Sequence, residues 1–239
     1  MNIEHHYIEK GEGFPLLLLH GNGENNEYFI HQIEYFSKQY RVIALDTRGH
    51  GKTARGEEEF TLVQFAEDLK KFLDSRAIEK AIILGFSDGG NIALLFALKY
   101  QEYIQALIID GANIYPSGIK AYAQLSIRVG YVLASLFAPF SKRALANKEM
   151  LRLMTHEPNI TPAELARITV PTLVMAGSRD IIKKAHTKEI YHALRKAQLA
   201  IIDGDHFIAT KKFEHFNEIV DKFLELSDNL TQRKKTKHE

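Results

Sequence analysis

Ser87 lies in Leu84-Gly85-Phe86-Ser87-Asp88-Gly89-Gly90, between the apolar run Ala81-Ile82-Ile83-Leu84 and an Ala/Leu-rich segment at 91–98. A serine hydroxyl becomes a nucleophile only when a base takes its proton, and that base must itself be oriented by an acceptor. Strand, sharp turn and helix would hold this serine at the tip of a strained turn. Gly85 and Gly89 would leave room for the two elements to pack against its backbone. The helix start would add N–H groups and a dipole that favour developing negative charge.

The base and its orienter are sought where strands end, because working residues of parallel sheets gather beyond the carboxyl ends of strands. Asp180, in Gly177-Ser178-Arg179-Asp180, and His206, in Asp203-Gly204-Asp205-His206-Phe207, each follow a predicted strand. The chain order Ser87, Asp180, His206 is that of a nucleophile-elbow triad. His20-Gly21-Asn22-Gly23 ends the first buried strand. There the backbone N–H of Asn22 can face Ser87 and, with the N–H of Asp88, form an oxyanion hole.

The elements that must position these residues alternate. Apolar runs at 15–19, 41–46, 80–86 and 106–110 read as buried strands, with a shorter strand at 3–9. Helical spacing appears at 27–39, 61–76 and up to Tyr100, so the first half predicts a doubly wound, mostly parallel sheet. All-apolar strands imply cover on both faces. Between 117 and 169 no buried strand appears. Tyr122, Leu125, Val129, Val132, Leu133, Leu136 and Phe140 share one helix face there, and Pro139, Pro158 and Pro162 divide the region. This predicts a helical cap whose apolar stripe packs against the sheet domain and lines part of a pocket. Strands at 170–177 and 199–203 and helices at 184–194 and 215–226 complete the core. The expected division is a core at 1–116 and 170–230, a cap at 117–169 and a basic tail at 231–239.

The 31 Lys and Arg nearly balance 30 Asp and Glu among 239 residues, which points to neither nucleic acid nor membrane as a partner. The chain has no cysteine, which excludes disulfides, thiolate metal sites and a cysteine nucleophile. The first residues show no secretory signal, and Gln124, Ser126 and Arg128 interrupt the most apolar stretch. A soluble cytoplasmic protein is expected, with oligomeric state left open.

Taken together, these motifs resemble the α/β-hydrolase family from about Gly13 to Leu226. The resemblance rests on His20-Gly21, the D-x-R-G-x-G loop from Asp46 to Gly51, the elbow from Gly85 to Gly89, Asp180 and His206. It implies an α/β-hydrolase fold with eight strands, or seven given the short N-terminus, and a cap that shapes the acyl or alcohol pocket. It also implies a serine hydrolase acting on a small or medium carboxylic ester. Ser87 would attack, His206 would serve as base and then acid, and Asp180 would hold the imidazole. No metal or organic cofactor is implied. A same-fold acyltransferase, C–C bond hydrolase, perhydrolase or non-catalytic receptor would share these residues. Aspartate-nucleophile dehalogenases and epoxide hydrolases are disfavoured by Ser87.

Competing readings attach to several residues. Asp110, after an earlier strand, is the rival acid, and Asp180 could instead cap a helix. Asp205 reads as a turn residue. Asp88 could simply favour the helix N-terminus. The Ser-Asp-Gly-Gly wording is also similar to valacyclovir hydrolase-like members that act on amino-acid esters, which would make Asp88 an ammonium ligand. His5-His6 lacks metal-site spacing. Two stretches imitate nucleotide motifs. In 21–26 the third glycine of a dinucleotide fingerprint is Asn26, and in 46–53 the first P-loop glycine is Asp46, whose carboxylate would repel phosphate.

Overall fold

Successive residues of an extended chain face opposite ways, so a strand made only of leucines needs two apolar layers. The computed structural model, which describes residues 3–235, meets that need. Its sheet comprises β1 (Tyr7–Lys10), β2 (Pro15–Leu19), β3 (Arg41–Leu45), β4 (Ala81–Phe86), β5 (Ile104–Asp110), β6 (Thr172–Gly177) and β7 (Ala197–Ile202). The order across it is β1-β3-β2-β4-β5-β6-β7. Only β1 runs antiparallel among the described strands, beside β3. Among the described residues the sheet thus has seven strands, the smaller of the two expected counts.

The helices are α1 (Ile30–Phe36), α2 (Leu62–Ser75), α3 (Asp88–Tyr100), α4 (Ala121–Phe137), α5 (Lys142–His156), α6 (Pro162–Leu165), α7 (Lys184–Ala193), α8 (Ile208–Lys211) and α9 (Phe213–Lys235). Leu16 and Leu18 join Val42, Ile82 and Ile108 in a layer with Ile33 of α1 and Phe216 and Val220 of α9. Leu17 and Leu19 join Ile43, Ile83 and Ile109 in the other, with Leu69 of α2, Phe96 of α3 and Ile190 of α7. Local chemistry sets the helix starts. The Thr61 hydroxyl accepts from Gln64 N at the head of α2, and Thr161 and Glu164 form a reciprocal capping box on α6.

Two expectations change. The apolar stripe of α4 does not pack against the sheet: no residue of α4 is buried, and its stripe ranges from 51% exposed at Val129 to 87% exposed at Phe140, just beyond the helix. Periodicity shows which face is apolar but not what covers it. The inward side of α4 packs on α5, where Gly130 leaves room for Leu151, and it is Leu153 and Met150 of α5 that reach the core. The closing helix is also longer than expected, beginning at Phe213 and running to Lys235 through the start of the basic segment. The end of that segment, 236–239, lies outside the described residues.

Candidate active site

Ser87 follows the last residue of β4 and serves as N-cap of α3, with φ 51° and ψ −118°. That left-handed backbone is costly for a residue with a Cβ and persists only where its surroundings impose it. Here Ser87 N donates to Asp110 O at 2.8 Å, and Ser87 O accepts from Asn91 N at 3.0 Å. The glycines are required by close approach. A Cβ on Gly85 would lie 2.3 Å from Gly89 O, and one on Gly89 would lie 2.0 Å from Leu19 O.

His206 Nε2 lies 3.1 Å from Ser87 Oγ, and His206 Nδ1 lies 2.7 Å from Asp180 Oδ1. A carboxylate can only accept, so Nδ1 carries the proton and Nε2 is left to accept from the serine. Asp180 is held from behind: Ile182 N donates to Oδ1 at 2.8 Å and Gly177 N to Oδ2 at 3.3 Å. The competing idea that Asp180 caps a helix thus reduces to a two-residue turn, because α7 starts only at Lys184. Phe86 flanks the imidazole with ring centroids 4.8 Å apart, and Tyr28 stacks on Phe86 at 4.3 Å.

The rival acid sits beside this chain without joining it. Asp110 is fully buried, neither carboxyl oxygen has a partner among the described residues, and burial, with Asp180 nearby, raises its pKa well above the usual carboxylate range. Burial without a partner therefore favours its neutral form. The next residue, Gly111 (φ 61°), underlies the imidazole: a Cβ there would lie 2.6 Å from His206 Cε1. Asp205 behaves as a turn residue, its Oδ1 accepting from Phe207 N at 2.9 Å.

The loop after β2 closes over the serine, since a Cβ on Gly21 would sit 3.2 Å from Ser87 Cβ. Asp88 is the first residue of α3, so its N–H is one that the helix leaves unpaired. The side chains of Asn22 and Asp88 also meet. Asn22 Nδ2 donates to Asp88 Oδ2 at 2.9 Å and to Met150 O at 2.8 Å. Asn91 Nδ2 donates to Asp88 Oδ1 at 3.1 Å, while Asn91 Oδ1 accepts from Asn113 N at 2.9 Å. Burial pushes the Asp88 carboxyl up to about 6 against these bonds. Asp88 therefore ties the β2 loop to α3, beyond any effect on the helix terminus.

Other residues prove to be clamps, a role that the sequence did not mark. His20 Nε2 accepts from Thr47 N at 3.0 Å and Nδ1 donates to Gly21 O at 2.7 Å, joining the loops after β2 and β3. Burial, with His50 beside it, lowers its pKa to about 4, so it stays neutral. His186 Nε2 likewise accepts from Ile114 N at 3.0 Å, pinning the β5 loop to α7. The P-loop imitation is occupied by its own chain. Asp46 accepts from Asn26 N and Lys52 N, both at 2.8 Å, and Arg48 pairs with Asp68 at 2.6 and 2.8 Å with both side chains buried. The partners Thr47, Asn26, Asp68 and Ile114 are remote in sequence, and only the fold reveals them.

Known proteins agree with this architecture. The family model described as "alpha/beta hydrolase fold" matches residues 15–132. Serine hydrolase BPHL from Homo sapiens is 29% identical over 93% of this chain and 84% of its own length. Epoxide hydrolase 4 from Mus musculus is 40% identical, but over only 45% of this chain and 31% of its own. An enol-lactonase from Burkholderia xenovorans LB400 superimposes with a TM-score of 0.78 over 93% of this chain and 96% of its own, at 21% identity. With sheet order, elbow and family match in accord, the chain has the α/β-hydrolase fold.

Proposed function

We propose that the protein is a serine hydrolase that cleaves a small or medium carboxylic ester through an acyl-enzyme on Ser87. The observation that carries this reading is the continuous hydrogen-bond chain from Asp180 through His206 to Ser87. His206 Nε2 takes the hydroxyl proton as Oγ attacks the ester carbonyl, and Asp180 steadies the imidazolium that forms. The N–H groups of Asn22 and Asp88 are assigned to the oxyanion, where preorganised donors act most strongly. Collapse expels the alcohol with the proton from His206. Water, activated by the same nitrogen, then releases the acid. The chain's own residues supply every proton transfer in this scheme. The lack of cysteine suits the reducing cytoplasm proposed as its setting.

The test is hydrolysis of a p-nitrophenyl acyl series by wild type and Ser87→Ala, with intact-mass detection of a fluorophosphonate adduct. Wild type is expected to turn over and to label. Ser87→Ala should lose about 10⁴-fold or more in kcat/KM and should not label. A folded wild type that does neither would overturn the reading in favour of a receptor on the same fold.

A specific observation also favours an ammonium-bearing ester. Among the described residues, the hydrogen bonds to the Asp88 carboxyl, adjacent to Ser87, come from the neutral amides of Asn22 and Asn91. Once ionised, it is a negative charge beside Ser87 that a substrate ammonium group would complement.

A further inference from the structure

Monomeric proteins seldom leave long apolar stripes in water, and large exposed patches mark interaction sites. The outward face of α4 is such a stripe. Leu125, Val129, Leu136 and Phe137 are 51–65% exposed, and Phe140, in the turn to α5, is 87% exposed. Basic residues accompany it. Between 120 and 157 stand six Lys or Arg and two Glu, so the near-neutral whole-chain charge hides a strongly cationic hairpin. Both acids are engaged within the fold: Glu149 pairs with Arg55 at 2.7 Å, and Glu157 accepts from Leu62 N at 2.8 Å. Lys142 and Arg143, exposed in the first turn of α5 directly after Phe140, have no acidic partner among the described residues.

We propose that the α4–α5 hairpin docks on the surface of an anionic lipid bilayer. Leu136, Phe137 and Phe140 enter the boundary between headgroups and acyl chains, and Lys142 and Arg143 meet the lipid phosphates. An apolar face bordered by Lys and Arg is the chemistry of an interfacial helix, and the cytoplasmic leaflet supplies the negative surface it needs. No helix among the described residues is long and apolar enough to cross a membrane, so the contact is peripheral. A second copy of the chain fits this face less well. It would bring Arg128, Lys142 and Arg143 against their own kind, with both acids of the hairpin already engaged.

The base of the hairpin gives the docking a direction. Lys120 N donates to Ile181 O at 2.8 Å, and Met150 O accepts from Asn22 at 2.8 Å. The hairpin thus rests on the loops that carry Asp180 and Asn22, and α4 extends from there for about 25 Å at 1.5 Å per residue. A docked tip would bring lipid to the same end of the sheet as Ser87.

The test is flotation of the whole protein with vesicles of phosphatidylcholine alone or with about 30% phosphatidylglycerol. Wild type should bind the anionic vesicles at least about ten-fold more than the neutral ones. The double variant Phe137→Ser/Phe140→Ser, with its fold checked by circular dichroism, should lose about ten-fold of that binding. Lys142→Glu/Arg143→Glu should lose the preference for anionic lipid. Wild type that ignores both vesicle types, or a serine variant that floats as well as wild type, would overturn the proposal. So would sedimentation equilibrium that shows a wild-type dimer abolished by the serine pair, because a second copy would then own the face. The readout does not depend on turnover, so it stands or falls apart from the proposed hydrolase activity.

Discussion

Ser87, His206 and Asp180 come from three strand ends separated by up to 119 positions, and they meet within hydrogen-bond distance. Their meeting is legible in the sequence because strand ends of a parallel sheet share one edge, and Gly85, Gly89 and the strand-to-helix change mark which serine stands there. Asp88 is less legible. Its residue type and place suggest a terminus effect or a cation ligand, whereas its bonds to Asn22 and Asn91 depend on residues that no motif singles out. If Asp88 attracts an ammonium group, Asp88→Asn should cut kcat/KM for amino-acid esters by about ten-fold or more, with a simple acyl ester changed far less. Because burial sets its pKa at about 6, the wild-type preference for the amino ester should rise as pH climbs through 6 and be flat in the variant. Competition kinetics from pH 5 to 8 would show this, and a preference equal in both proteins would remove Asp88 from substrate recognition.

At the scale of elements, the loop from β3 to α2 shows how a motif can be right in pattern and wrong in apparent purpose. Residues 46–53 imitate a phosphate loop, yet Asp46 is consumed by Asn26 and Lys52, and Arg48 reaches across to Asp68 on α2. Both members of that ion pair are 1% exposed. Removing one partner of a buried pair leaves an uncompensated charge, so Arg48→Met should cost about 3–5 kcal/mol in urea unfolding. Arg48→Met/Asp68→Leu should regain much of that loss; a double variant as unstable as the single would mean that packing, not charge, dominates. The cap is the complementary case. Its helix was legible from period alone, but its orientation was not, because an apolar face against a sheet and one against a partner have the same spacing.

For the whole molecule, alternating apolar runs foretell the two layers, since a strand apolar at every position can only be covered twice. Charge was read less well from composition, because buried carboxyls do not keep their ordinary pKa. Asp110 and Asp88 are both raised by burial. Below about pH 4 the folded and unfolded chains hold these protons alike. Above it the unfolded chain releases them first, so both groups subtract stability as pH rises, Asp88 up to about 6. Asp110→Asn keeps the neutral shape and removes that penalty. Its melting midpoint should exceed wild type by about 2 °C or more at pH 8 and match it near pH 4. Scanning calorimetry across this range checks the sign, and a gap independent of pH would show that Asp110 is not the titrating group. The left-handed backbone at Ser87 reaches further still. The proposed nucleophile is also a place where the backbone is strained, so selection for durability alone would favour glycine at position 87. A lineage that drifted toward a quieter fold would be expected to fall silent at this position before it lost its shape.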